Sequence, residues 1–209
     1  MANTSVRSYK MNTDCGFAPN PYGGVLTIAT CKPLIREVAK CGEWIAGFTS
    51  KTLNKDPVGQ ERLIFLMRVT EKLHRDVYYE RYPQKRPDKC PCGDNIYRPD
   101  GHGSYIHIGG IHHRPEKAQK DDHKSAWVLL STEFYYFGGK PVCINETPLK
   151  IPRSQSPYGV ITQGESAEAF IKFVRKYAAD TYPGKSGMFE EPHTPCKLGC
   201  TSSCGCTKP

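Results

Sequence analysis

The sequence predicts an α+β fold, a mixed β-barrel with peripheral helices and a C-terminal amphipathic helix, and three observations predict it. Short β-branched or aromatic runs recur along the chain, and early on they give way to one stretch of helical period. "RLIFLMRVTEKL", residues 62–73, is apolar on both faces at its start, as a strand buried on both sides is. "ESAEAFIKFVRKYAAD", residues 165–180, sets Phe170, Ile171, Val174 and Ala178 on one helical stripe, with Glu168 and Lys172 a favourable i,i+4 pair. The expected organisation is one domain over residues 1–183 and a Cys-rich, flexible tail over 184–209.

Residues 6–11 read as the first strand. In "TDCGFAPNPYGG", 13–24, prolines and glycines rule out regular structure and impose a shaped loop. "VLTIAT", 25–30, is a β-branched strand. The period changes in "KPLIREVAKCGEWIAGF", where Pro33 suits a first helical turn, Leu34, Ile35, Val38 and Ala39 share a face, and Gly42 is placed to end the helix. Strand resumes at 44–48. After the polar insert "SKTLNKDPVGQ" comes the long strand 62–73, with Leu63, Phe65, Met67 and Val69 on one side and Ile64 and Leu66 on the other. "HRDVYYERYPQKRPDK" gives one or two helical turns before Pro83. A strand at 127–130, a turn at Ser131 and the aromatic cluster Phe134, Tyr135, Tyr136 and Phe137 precede the final helix.

A chain of 209 residues buries a core without staples. No apolar run approaches the roughly 18–20 residues a bilayer span needs, so no membrane partner is expected. The first residues, "MANTSVRSYKMNTD", lack an apolar segment behind their positive charge, which points to a cytoplasmic protein whose cysteines are thiols or ligands. A net charge of +8 suits a polyanionic partner, nucleic acid or nucleotide, or a solvated basic surface.

Four stretches carry chemistry. In the loop 13–24, Asp14, Phe17, Asn20 and Tyr22 could read a base through a carboxylate, an amide and a stacking ring, or could satisfy their own turn. "CKP" places Lys32 at a helix start, where an ammonium and backbone N–H groups could receive a phosphate. "CPCGDNIYRPDGHGSYIHIGGIHH", 90–113, has three readings: a zinc site from Cys90, Cys92 and two histidines, an active-site loop, or a connector. The C-x-C spacing weakens zinc, and more than about thirty residues without a clear element favour a functional loop. Its chemical residues are Cys92, Asp94 and Asn95, with His112, His113 and Asp122 able to converge from the far end. Finally, "YYERYPQKRPDK" interleaves Tyr78, Tyr79 and Tyr82 with Arg81, Lys85 and Arg86, a mixture that stacks bases and neutralises phosphates, or else a core face with solvated cations. The terminal Cys196, Cys200, Cys204 and Cys206 fit no common zinc spacing and read as redox-sensitive or loosely metal-binding.

The succession "TDCGFAPNPYGG", "ATCKPLIREVAKCGEWIAGF", "LIFLMRVTEKL", "CGDNIY" and "LLSTEFYYFG" resembles the second type of the nucleotide modification associated domain family, over roughly residues 8–138. These are small prokaryotic and phage proteins linked to DNA or nucleotide modification. The matching motif positions are Asp14, Phe17, Asn20, Pro21, Cys31, Lys32, Gly42, Cys92, Asp94, Asn95, Phe134 and Tyr136; Pro21, Gly42 and Phe134 are the more structural of these. "GEWIAGF" followed by "RLIFLMRVTEKL" also resembles the core hairpin of PUA-like domains, with Glu43 in place of the usual Asp.

The resemblance implies a field of action, DNA or nucleotide modification, more than a reaction; the first expectation is a protein that recognises a nucleobase in a polar and aromatic pocket and, if it is catalytic, transfers a group to the base or removes one. Asp94 or Asp122 is then the acid–base carboxylate with His113 as partner; Asp14, Phe17, Asn20, Lys32, Asn95 and Tyr136 bind substrate; and Arg81, Lys85 and Arg86 meet nucleic acid. The alternatives are a non-catalytic reader of modified bases and a zinc-stabilised structural domain.

Overall fold

In the computed structural model, residues 4–110, 122–144 and 156–195 are described. Along the chain run β1 (Ser5–Lys10), β2 (Leu26–Ile28), α1 (Pro33–Val38), β3 (Trp44–Phe48), α2 (Lys51–Asn54), β4 (Leu63–Arg68), β5 (Glu71–His74) and α3 (Arg75–Arg81). A 3-10 turn (Pro83–Lys85) follows, then β6 (Tyr97–Pro99), β7 (Tyr105–His107), β8 (Trp127–Ser131), β9 (Glu133–Tyr136), β10 (Val160–Gln163), α4 (Glu165–Thr181) and β11 (Gly187–Met188).

The larger sheet has the order β10-β1-β3-β4-β9-β11, and a second sheet has the order β2-β8-β5. β1 and β3 are parallel, so the chain between them must cross over, and that crossover carries the 13–24 loop, β2 and α1. The large sheet is buried on both faces. Val6, Trp44, Ala46, Phe48 and Leu66 pack under the stripe Phe170, Ile171, Val174 and Ala178 of α4. Tyr9, Ile45, Phe65 and Met67 pack on the other side against Leu26, Ile28, Ile35 and Leu129. The second sheet is covered in turn by Tyr78 of α3, in contact with Ala29, Val128 and Leu130.

The mixed α+β class is therefore as expected, and the final helix spans nearly the residues its period marks. No closed barrel forms among the described residues: the larger sheet ends at β10 and β11, and the second sheet is separate from it. The run 62–73 is two strands in different sheets, turning at Val69 and Thr70. Thr70 clips that corner, its N–H bonding Leu130 O at 2.9 Å and its hydroxyl accepting from Thr132 N–H at 3.2 Å. Ile64 is the extra residue of a bulge, since Gly47 pairs with Phe65 but Phe48 with Leu63. Leu63 consequently joins the α4 side and Ile64 the Phe65 side, which a strict alternation assigns the other way.

Three further segments depart from the sequence reading. α1 stops at Val38, with Ala39 extended, and Gly42 lies in the following turn at φ 89°. The polar insert holds the short helix α2, capped by Ser50, whose hydroxyl accepts from Leu53 N–H at 3.2 Å. The first part of the expected tail is packed: β11 pairs with β9, and Phe189 stacks on Tyr182 and Phe137.

One close approach links the sheet to the functional region. The Phe65 ring lies across Gly47, where an added Cβ would come within 2.2 Å of Phe65 Cε1 and 2.7 Å of Met11 Sδ. Phe65 in turn meets Tyr9 edge-on at 6.0 Å. Gly47→Ala is expected to destabilise the protein by about 1–3 kcal/mol through overpacking, read from the urea unfolding midpoint.

Candidate functional site

The 13–24 loop and the "CGDN" turn meet over a buried ammonium. Lys85 is fully buried, and its Nζ donates to Asn20 Oδ1 (2.8 Å), Val25 O (2.8 Å) and Asn20 O (3.1 Å). The Asn20 amide donates to Gly16 O at 2.9 Å and Cys92 O at 2.6 Å, which joins the two loops. Asp94, likewise buried, accepts from Thr27 Oγ1 and from Tyr78 OH, both at 2.6 Å. Burial pushes the Asp94 carboxyl up, against the opposing pull of Lys85 and the two hydroxyls. Asn95 donates from its amide to Tyr82 O (3.0 Å) and Tyr78 O (3.2 Å), which ties the "CGDN" turn to the C-terminal end of α3.

A second network gathers around Asp122. Its carboxylate accepts from Cys31 N–H at 2.7 Å and Tyr97 OH at 2.9 Å. Arg75 donates to the Asp122 carbonyl at 2.7 Å and lies 4.6 Å from the Tyr97 ring centre and 4.9 Å from that of Tyr105. Arg36 donates to Cys31 O at 2.8 Å, Ser125 O at 2.8 Å and Trp127 O at 2.6 Å. The two guanidiniums thus tie the β2–α1 turn to the start of β8.

That turn is strained. Cys31 and Lys32 both adopt the left-handed backbone, at φ 54° and 43°, a conformation that costs non-glycine residues of order 1 kcal/mol or more each. Asp122 and Arg36, bonded to the N–H and carbonyl of Cys31, hold it there. The Cys31 side chain is in no disulfide and partly exposed, as is that of Cys15. Lys32 Nζ lies 4.7 Å from the centre of the Tyr9 ring, and burial pulls its ammonium below the usual lysine range. Tyr9 is 1% exposed, and its hydroxyl, like Thr30 Oγ1, has no hydrogen-bond partner among the described residues. Burial raises the Tyr9 phenol far above its ordinary value, and nearby Cys31 and Asp14 add to the rise.

Asp14 closes this cluster. It accepts a short hydrogen bond from Tyr136 OH and one from His193 N–H at 3.0 Å, while Thr194 N–H donates to its carbonyl at 2.9 Å. Burial pushes the Asp14 carboxyl up despite these donors. The residues after β11 therefore clasp the 13–24 loop.

The sequence-predicted residues mostly form interior networks. Asp14, Asn20, Asn95 and Tyr136 are buried with their polar groups used, and Phe17 packs on Ile96 and Tyr97 instead of offering a stacking face. Asp94 and Asp122 sit in separate networks, each buried among its own donors, and their joint partner His113, like His112, lies outside the described residues. Lys85 does not meet nucleic acid at the surface, because its ammonium is spent on interior carbonyls. Arg81 is exposed and bonded to Glu71 at 3.2 Å; Arg86 lies 4.0 Å from the centre of the Tyr79 ring. Lys32 stands over Tyr9, and α1 at six residues is too short to make its start an anion site.

The 90–113 stretch holds the β6–β7 hairpin, with Tyr97 opposite His107. Cys92 is disulfide-bonded, which removes it as a thiol nucleophile or zinc thiolate, whereas Cys90 is buried and in no disulfide. Among the described residues no group of three or more His, Cys, Asp and Glu could hold a metal ion, and Cys196, Cys200, Cys204 and Cys206 lie outside them. Among those residues, too, no helix is long and apolar enough to cross a membrane. Sequence reading missed Tyr9, Thr30, Arg36, Arg75 and Tyr97. The signal within reach was "CKP" after a strand, where a tight strand-to-helix turn was to be expected.

The model of a family described as nucleotide modification associated domain 2 matches residues 3–191. No curated protein and no solved structure matches the chain.

Removing one side of the buried charge system leaves the other uncompensated, so Asp94→Ala and Lys85→Met are each expected to cost about 3–5 kcal/mol in urea unfolding. The Asp94 carboxyl, raised on folding, contributes stability that is fully present below its unfolded pKa and lost as pH rises through its folded value. Asp94→Asn should therefore flatten the fall in stability as pH rises above the usual carboxylate range, measured by urea midpoints at each pH.

Proposed function

The chain belongs to the nucleotide modification associated domain 2 family, and from that premise we propose that it modifies a nucleobase at the Cys31–Lys32 turn. The observation that carries this reading is a partly exposed thiol, in no disulfide, on a left-handed backbone between a strand and a helix. By geometric analogy this is the kind of turn that presents a nucleophile in hydrolases; the likeness concerns the turn alone. The groups around it supply the remaining chemistry.

In this reading Lys32, in the neutral amine form that burial favours, takes the thiol proton. The Cys31 thiolate adds to an electron-poor ring carbon of the base, and the displaced π pair moves to a neighbouring ring atom. Tyr9, whose buried hydroxyl lacks a partner among the described residues, donates to the charge that develops there. Asp14, raised by burial, is a second proton source. Asp122 and Arg36 are positioning residues that hold the turn, and Asp94, Asn20 and Lys85 hold the loops beside it. A nucleotide or nucleic acid is the substrate that fits the family. The electron-rich ring atom displaces the leaving group of an electrophilic group donor and loses its own proton, and expulsion of the Cys31 thiolate restores the ring double bond. Removal of a group runs the same exchange with a proton entering in place of the electrophile.

Cys31→Ser is expected to abolish product, read by mass spectrometry of nucleosides after incubation with nucleotide and with DNA or RNA, while the thermal midpoint stays within about 2 °C of the parent. Lys32→Met should lower turnover and remove the rising, acidic-side limb of its pH profile. Unchanged product from Cys31→Ser would end this assignment.

A further inference from the structure

Away from that turn, the chain has a cleft of about 520 Å³ between the residues that follow α1 and one face of α4. Lys40, Arg68, Lys172 and Arg175 line it, with Glu43 and Glu168 as the acidic members. Most of the negative charge is already engaged. Glu43 is buried against Arg7 at 2.8 Å, and Glu133, beside the cleft, is shared by Arg68 at 3.4 Å and Arg175 at 2.5 Å. Glu168 accepts the Thr4 hydroxyl at 3.1 Å. Lys40 and Lys172 are exposed, and their ammonium groups have no ion-pair partner among the described residues. The cleft thus presents surplus positive charge in a space of ligand size.

We propose that this cleft docks the phosphodiester backbone of a single-stranded nucleic acid, so that the substrate of the Cys31 turn is a polymer and not a free nucleotide. The inference rests on the reading of that turn as the modifying centre. Two features favour backbone over base. The Trp44 ring is covered by Arg175, 5.4 Å from its centre, and is 4% exposed, so it offers no stacking face. The polar groups with capacity to spare are ammonium groups, which receive phosphates as point charges. Continuity comes from α1: Cys31 and Lys32 stand at its start, and Lys40 and Cys41 follow its end, roughly 10–15 Å away at helical rise. A strand held at the cleft reaches the turn within a few nucleotides.

The test is fluorescence anisotropy of the full chain with a labelled twelve-nucleotide single strand, as DNA and as RNA, across a salt series. Binding whose logarithm falls linearly with the logarithm of salt is expected, with Lys40→Glu/Lys172→Glu binding at least tenfold more weakly. Lys40→Gln/Lys172→Gln, which only removes charge, should flatten the slope by about 1.4, two single-strand phosphate contacts. Both variants should keep the parent's melting temperature and lose product yield on the oligonucleotide. Affinity and slope unchanged in both variants would overturn the docking groove, as would equal competition by inorganic phosphate, or binding to phosphatidylserine vesicles without binding to the strand. Strand binding that depends on Lys40 and Lys172, with no product from the parent, would uphold the groove and end the modifying reading instead.

Discussion

A fully buried ammonium constrains most of this molecule. Lys85 must be given acceptors in the interior, and Asn20, Val25 and Thr27 provide them. To do so the 13–24 loop has to fold back onto β2, where Asn20 and Thr27 exchange backbone bonds at 2.8 and 3.0 Å. Thr27 bridges to Asp94, and the Asn20 amide reaches Cys92, so one cation fixes the relative position of two loops about seventy residues apart. Satisfied networks of this kind specify one arrangement because any alternative strands a buried charge.

The strained turn depends on that arrangement. Cys31 follows β2 directly, and β2 is held by Lys85 and Asp94 on one side and by β8 on the other. Asp122, Arg36 and Arg75 then pin the turn itself, and α3 carries both Arg75 and Tyr78, one member of each network. The left-handed pair is thus over-determined by its surroundings, the condition under which stored backbone strain persists at functional sites. Both of its residues stay partly exposed.

Much of the fold was legible because periodicity reports burial. The α4 stripe, the doubly buried start of 62–73 and the β-branched 25–30 each appear as the residues require. The barrel expectation exceeded that signal: a single apolar run cannot reveal that β4 and β5 take partners in different sheets, because alternation is the same on either side of the corner at Thr70. The Ile64 bulge is invisible for the same reason, since it depends on the register of β3. The packed segment after α4 is rich in the Gly, Pro and Ser that mark loops, and its pairing with β9 is a long-range contact that composition does not encode.

By itself, the sequence marked the stretches rich in polar and ionisable residues: the Asp, Asn, Lys and Cys of the early loop, of "CKP" and of "CGDN" were all named from it, together with the family to which they point. Only the tertiary structure decided their division of labour. Asp94, Asn20 and Lys85 became interior partners, and Cys31 and Lys32 remained accessible at a strained turn. The reason is physical. Whether a polar side chain reads a ligand or satisfies a neighbour is set by burial and by which donors stand within about 3 Å, and both are properties of contacts distant in sequence.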